Sequence, residues 1–355
     1  KLLTLLDFYS RQDDFPAVQG AYRRLFRLEP RSVDLRLDYA RALYDFDLAD
    51  RALDVIDALL KANPDDAKLQ QRVVDLWVAV GSKAIAIDQG RRLAAAGNDQ
   101  MKIAIAQLAI GQRRFADAAA ILKPYVDKGE ITPENVLANT LYASAMLGLG
   151  RTDEALTRAT RVLAFDKTSP GALLLRVRIM VDRHNLDQAL ADAQVVGRDN
   201  PDLAAARIAL AKVYTLRKEK TLADGAFARA ADDLPQDLDL LNAYVAYLID
   251  TGRRREALDA ATNFTRRNPD RLEGWKARAD LCLMVGDNDC LQQVLDAFGR
   301  VRGGARAKTA LERAMAERQK AGAPVSRPGT VAGPLAMGAL KMDMHMIDAG
   351  AVPSC

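Results

Sequence analysis

The sequence predicts an all-α solenoid of stacked helical hairpins, and three observations predict it. Pro201, Pro235 and Pro269 follow one another at intervals of 34 residues, and Pro30 and Pro64 keep that spacing near the start. Ala155, Ala189, Ala223 and Ala257 form a second ladder of the same period, each twelve residues before an expected proline position. Strand-like alternation is almost absent. A fixed period of this length marks a unit of two helices that cannot bury its apolar face alone, so the units stack in a row instead of closing into a globule. An apolar fraction of 49% with only 6% aromatic residues suits close helix packing through small side chains, as does the alanine-rich stretch Leu203 to Ala211.

Taken in order, the first repeat runs from Tyr9 through the turn at Asp13 and Asp14, past Phe15 and Tyr22, to Pro30; Ala40, Ala52 and Pro64 mark the second. The segment from Asp65 to Glu130 is the least regular. Asn98 stands where a proline is expected and Pro124 falls inside a helix, so a kink or a shift of stacking is expected there. Leu137 to Asp166 reads as a helix, an interruption at Gly148, Leu149 and Gly150, and a second helix opening at Arg151 to Ala155. Leu210, Ala211, Tyr214, Ala223, Phe227, Ala230 and Pro235 give the most complete copy. In Asp239 to Asn268, Thr251 and Gly252 break the first helix. Asn268 ends the second, because the residue before a proline is pushed out of the helical region. Trp275 and Gly286 begin the last copy. Nine hairpins are expected over residues 1–303, then a charged amphipathic capping helix over 304–321, which gives the solenoid end a polar face. A tail rich in Pro, Gly, Ala and Met occupies 322–355.

At these residues the sequence resembles the tetratricopeptide repeat family. The family's pattern places a bulky residue early in the first helix, small residues midway, glycine at the turn, alanine in the second helix and proline at the end. The resemblance covers about nine tenths of the chain. It implies a right-handed superhelix whose concave face is lined by the first helices, and on that face the family binds extended peptides or partner helices. In this register the inward positions include Leu137, Thr140, Ser144, Leu147, Leu174, Arg178, Val181, Ile208, Lys212, Asn242, Ala246 and Lys276. Lys212, Asn242 and Lys276 resemble the set with which some members clamp a partner's carboxyl terminus, but they are misplaced for that clamp. The competing reading makes them ordinary polar residues on a solvated groove. A mostly apolar lining with sparse cations suits an apolar or amphipathic segment laid along it.

Several function classes are disfavoured. A formal charge of +4 from 51 basic and 47 acidic residues is too mixed to make nucleic acid the default partner. The run Arg253, Arg254, Arg255 reads as a solvated helix start. No stretch reaches the roughly 20 apolar residues of a spanning helix, so no transmembrane segment is expected. Catalysis needs converging acids, bases and nucleophiles, and the two histidines, His184 and His345, lie far apart. The glycines in Gly333 to Lys341 have phosphate-loop spacing, but Ala339 and Leu340 stand where a lysine and a hydroxyl residue are required. Paired carboxylates such as Asp65 and Asp66 or Asp232 and Asp233 sit at helix ends, where capping and turn chemistry explain them. No enzymatic activity and no cofactor are expected.

Cys282 and Cys290 lie four residues either side of Gly286. Adjacent helices close to their turn can bring such a pair within the roughly 7 Å Cα separation a disulfide needs. A disulfide and two buried reduced thiols are both open; the disulfide implies an oxidising compartment such as a bacterial periplasm. Cys355 lacks the residues that a prenylation signal needs after it. The opening at Lys1 reads as a processed mature protein or an excised piece. The tail holds only four formally charged side chains and too much apolar content for a solubilising linker, so docking along the groove or on a partner competes with free disorder. Its run Met342, Met344, His345 and Met346 combines ligand types that suit monovalent copper, against the simpler reading of apolar anchoring. The expectation is a non-enzymatic, periplasmic or envelope-associated scaffold. It binds other proteins or peptide segments, its own tail among them, in envelope assembly, export or secretion. The alternative is an accessory subunit of a metal-handling or enzymatic complex that uses the Met/His tail as ligand.

Overall fold

A computed structural model describes residues 2–80, 99–127 and 129–320. Among them are eighteen helices and no strand. In chain order they are α1 (Leu2–Arg11), α2 (Phe15–Leu28), α3 (Val33–Asp45), α4 (Ala49–Ala62), α5 (Ala67–Val80), α6 (Asp99–Gly111) and α7 (Phe115–Val126). There follow α8 (Val136–Gly148), α9 (Thr152–Phe165), α10 (Pro170–Asp182), α11 (Leu186–Asp199), α12 (Ala204–Leu216) and α13 (Lys220–Asp233). The last are α14 (Leu238–Asp250), α15 (Arg254–Arg267), α16 (Leu272–Val285), α17 (Asn288–Phe298) and α18 (Gly304–Lys320). Eight hairpins are complete within the described residues. The second helix expected to follow α5 falls in 81–98, outside them, as does Asn98.

The hairpin turn is one residue in the left-handed conformation. Positive φ occurs at Asp13, Asp47, Arg113, Gly150, His184, Lys218, Gly252 and Gly286, each between the two helices of a hairpin. From Gly150 to Gly286 these turns are spaced by 34 residues, as are Asp13 and Asp47. Glycine takes this conformation freely, whereas an L side chain is crowded by its own carbonyl. The family's glycine is therefore retained at only three of the eight turns, and the other five bear the strain.

Three second helices open with short polar caps, where Asp14 accepts from the Ala17 amide at 3.0 Å, Asn185 from Gln188 at 3.2 Å and Asp287 from Cys290 at 2.8 Å; α4, α7, α9 and α15 have no such side-chain cap. Three first helices are tied to the preceding proline by a donor six residues after it. Gln70 donates to the Pro64 carbonyl at 2.8 Å, Arg207 to Pro201 at 2.9 Å and Trp275 to Pro269 at 2.8 Å. Three unlike residues thus perform one function, satisfying the carbonyl of a loop proline.

The irregular region is a change of spacing. Asp47 and Arg113 are 66 residues apart, two short of two periods, and Arg113 and Gly150 are 37 apart, three over one. Pro124 lies in the last turn of α7, which has 12 residues where α2, α4, α9, α11, α13 and α15 have 14. A long loop takes up the difference, with Asn135 accepting from the Thr132 amide and donating to the Glu130 carbonyl, each at 2.9 Å. Arg158 reaches across to the Val126 carbonyl and the Asn139 side chain.

The described residues fall into two compact units, one of 2–30 and 227–320 and the other of 31–80, 99–127 and 129–226. The second unit holds a continuous core running from Ala106 to Val213, in which Ala118, Ala155, Ala159, Ala189 and Ala193 are wholly buried. Alanine at these places lets helices approach closely. At one end Trp77 is buried and donates to the Tyr44 hydroxyl at 3.2 Å, while burial pushes the Tyr44 pKa upward. In the first unit the packing is aromatic: Phe227 stacks on Tyr244 and Tyr247, and Arg253 lies over the Tyr247 ring.

Candidate partner-binding face

The positions expected to face inward all lie on first helices. In the larger unit Thr140, Leu174 and Ile208 occupy one row on α8, α10 and α12, and Ser144, Arg178 and Lys212 occupy the next, one helical turn on. Leu137 and Leu147 flank them on α8 and Val181 on α10. In the other unit Asn242 and Lys276 have the sequence phase of the first row on α14 and α16, and Ala246 that of the second. Leu137, Ser144, Val181, Asn242 and Lys276 are half-buried; Thr140, Leu147, Leu174, Ile208 and Ala246 are buried. Arg178 and Lys212 are buried too, at 6% and 5% exposure. Thr140 turns its hydroxyl back to the Val136 carbonyl at 2.9 Å.

Sequence reasoning missed one member of the second row. Asp280 on α16 stands 34 residues beyond Ala246, at the same phase as Ser144, Arg178 and Lys212, and the period alone would have found it. Its carboxylate is largely desolvated, Oδ2 accepts no hydrogen bond, and burial alone pushes its pKa up to about 7. Two residues earlier, Arg278 is 8% exposed and points away from that row. It donates to Gln293 at 2.7 Å and to the Thr265 hydroxyl at 3.4 Å and lies over the Trp275 ring, with Nε unpartnered. Desolvation lowers its pKa, and Asp287 opposes that shift only weakly.

Cys282 in the last turn of α16 and Cys290 in the first turn of α17 are bonded, with their Cα atoms 5.8 Å apart. The left-handed Gly286 closes the turn by donating to the Cys282 carbonyl at 2.8 Å. A cavity of about 200 Å³ opens between residues of α13, α14 and α15, among Leu234, Pro235, Tyr244, Asn263 and Phe264, with Arg267 and Asp232 paired at 3.4 Å beside it. Among the described residues no three His, Cys, Asp or Glu side chains gather as metal ligands, and no helix is long and apolar enough to cross a membrane. Met342, Met344, His345, Met346 and the rest of the tail lie outside the described residues.

Two stretches of the chain, residues 10–73 and 103–171, match tetratricopeptide repeat family models. Both stretches are tetratricopeptide repeats. A tetratricopeptide repeat protein from Parabacteroides merdae is similar at 14% identity over 79% of this chain and 96% of its own, with a TM-score of 0.40. A thermophilic tetratricopeptide repeat protein of Thermus thermophilus is 21% identical over 56% of this chain and all of its own, with a TM-score of 0.41. The yeast Tom70 structure is 13% identical over 90% of this chain and 81% of its own, with a TM-score of 0.40. No curated protein sequence matches. Tetratricopeptide-repeat proteins are in general scaffolds for protein–protein interaction, and the packing alanines of the repeat recur here from α9 to α15. Ala155, Ala189, Ala223 and Ala257 are each 0% exposed in successive second helices.

Proposed function

We propose that this tetratricopeptide-repeat protein is a non-enzymatic scaffold that binds partner polypeptides along the concave face of its first helices, in assembly, export or secretion at a bacterial cell envelope. The contrast between two ladders of equal period carries the reading. The packing ladder reads Ala155, Ala189, Ala223, Ala257 and Leu291, every rung apolar and buried. The ladder on the first helices reads Ser144, Arg178, Lys212, Ala246 and Asp280. Positions that only hold hairpins together stay apolar; positions that differ in charge and size from rung to rung at constant phase are the ones suited to recognition. The bonded Cys282 and Cys290 favour an oxidising compartment, which is the support for the envelope. The tail 322–355 docks on this face or on a partner.

Affinity capture with the whole chain, with Ser144→Trp and with a chain ending at residue 321 tests the reading. Ser144 is half-buried on the face, so the indole obstructs it without entering the core. Partners retained by the whole chain and lost with Ser144→Trp, at unchanged helicity, support it; equal capture by both overturns it. New binding on removal of the tail identifies a plug, lost binding identifies a docking element, and no change excludes both roles for the tail. Thiol titration of the denatured, unreduced protein tests the compartment argument, which two reactive thiols at 282 and 290 would remove.

A further inference from the structure

We propose that α18 is a clasp that holds the first hairpin of the chain to the last, and that Asp13 and Arg306 form its releasable end. The clasp acts whatever the concave face binds. The smaller compact unit is built from both ends of the chain, residues 2–30 and 227–320. Within it α18 packs on α16 and α17. Ala307 and Leu311 turn one face inward at 4% and 0% exposure. Gly304 lies so close to the Phe298 carbonyl that no side chain fits there, and Arg318 donates to the Leu283 carbonyl. These contacts anchor both ends of α18 on the last hairpin.

Another edge of α18 meets the first hairpin. Arg306, next to the buried Ala307, pairs through Nε with Oδ2 of Asp13, the left-handed residue of the α1/α2 turn. That turn differs from its counterparts. Asp47, Arg113, His184 and Lys218 hold the same strained conformation and are exposed, whereas Asp13 is half-buried and its side chain is 14% exposed. An ordinary turn projects into water; this one is covered where α18 begins. The Asp13 carboxylate is not spent on capping α2, because Asp14 takes that role. Glycine would relieve the turn, and aspartate instead presents an anion to α18. The two sides of α18 also differ in kind. Its grip on α16 and α17 is apolar burial, which salt does not weaken, whereas the Arg306 side chain is 60% exposed and its pairing is screened by salt. When the clasp opens, α18 therefore stays with the last hairpin and the first hairpin is let go.

Hydrogen exchange of α1 and α2 in the full chain, at low and high salt, tests the clasp with Asp13→Asn, Arg306→Gln, the double variant and the charge swap Asp13→Arg with Arg306→Asp. Asparagine tolerates the left-handed turn as aspartate does, so Asp13→Asn removes the charge alone. Arg113 holds the same conformation at another turn, so the swap keeps the turn as well. Each single change should speed exchange about two- to fivefold at low salt, the range of a partly exposed pair. The double variant should speed it no further, the swap should restore protection, and high salt should erase the differences. Unchanged exchange in both single variants, or single effects that add in the double variant, overturns the clasp. Crosslinking gives a second measurement, with Gln12→Cys and Ala305→Cys, exposed neighbours of the pair, in a Cys355→Ser chain. A short bismaleimide should join the two positions within one chain, and more slowly once Arg306→Gln is added; Cys282 and Cys290 are bonded and do not react. Failure to join them while each cysteine labels freely overturns the closed arrangement. Equal joining with and without Arg306→Gln overturns the pair as its releasable end.

Discussion

The hairpins α10/α11 and α16/α17 are built on one plan and differ in how they handle buried charge. Arg176 in the first and Arg278 in the second stand at the same phase, three periods apart. Arg176 meets Asp192 through two hydrogen bonds of 2.7 Å, and Gln188 adds a third to the same carboxylate at 3.0 Å. Asp192 raises the guanidinium's pKa by hydrogen bonding and charge, and desolvation only partly offsets it. Arg278 has the neutral Gln293 instead and is left short of a counter-charge, while the carboxylate of Asp280 is stranded two residues away on another face. The first hairpin is electrostatically complete on its own. The second is held by a covalent bond at its turn and keeps an open acid for something else to meet.

Breaking the complete pair should have the largest effect. Asp192→Ala leaves Arg176 without its carboxylate in a mostly desolvated site and should cost about 2–4 kcal/mol in chemical denaturation. Arg278→Met, which removes a charge that has no carboxylate partner, should be close to neutral or stabilising. Equal losses from the two changes would dissolve the contrast. Reducing Cys282–Cys290 opens a short loop and should cost about 2–3 kcal/mol on a chain-entropy argument, seen as a lower melting temperature in reductant that Cys282→Ala with Cys290→Ala reproduces.

The pH dependence sharpens the same contrast. Asp280 keeps a proton up to about pH 7 in the folded chain but loses it near 4 when unfolded. The folded state then holds the extra proton between those values, so stability is full below about pH 4 and falls as pH rises toward 7, by at most about 1.4 kcal/mol per unit. Burial is the influence that acts on this acid, and among the described residues no charged group opposes it there. Urea titrations at each pH should show this slope in the unaltered chain, and Asp280→Asn should remove it. A smaller effect belongs to the turns. His184→Gly and Lys218→Gly should each stabilise by up to about 1 kcal/mol, and Gly150→Ala should destabilise by a similar amount in thermal melts. Smallest of all is Asp187→Ala, which removes the exposed pairing with Arg217 and should change stability by less than about 0.5 kcal/mol.

Much of this architecture was legible because its signals are periodic. The proline and alanine ladders placed the hairpins, and Gly286 with its flanking cysteines marked a turn that brings two sulfurs together. The left-handed residue was hidden at five turns, since Asp13, Asp47, Arg113, His184 and Lys218 have no glycine to announce it. The donor to the proline carbonyl was hidden for a related reason: glutamine, arginine and tryptophan share a role there but no pattern. Asp280 was legible by phase and passed over because the inward row was read as apolar with sparse cations. Its desolvation depends on how α16 is covered, which spacing does not encode. Arg278 and Gln293 were out of reach for another reason, since a buried arginine opposite a glutamine looks like any two polar residues on neighbouring helices.

The spacing of the left-handed turns has a consequence for engineering. From Gly150 onward, each turn residue sits at the same point of an unbroken 34-residue frame. Excising 184–217 would splice Arg183 directly to Lys218, one turn onto the next, and leave every later hairpin in frame. Upstream, the two missing and three extra residues around α6 and α7 mean that no single cut length works there. The molecule is therefore modular at one end and bespoke at the other. Its length could be changed in whole steps beyond Gly150, and each step would add or delete one letter of the recognition row.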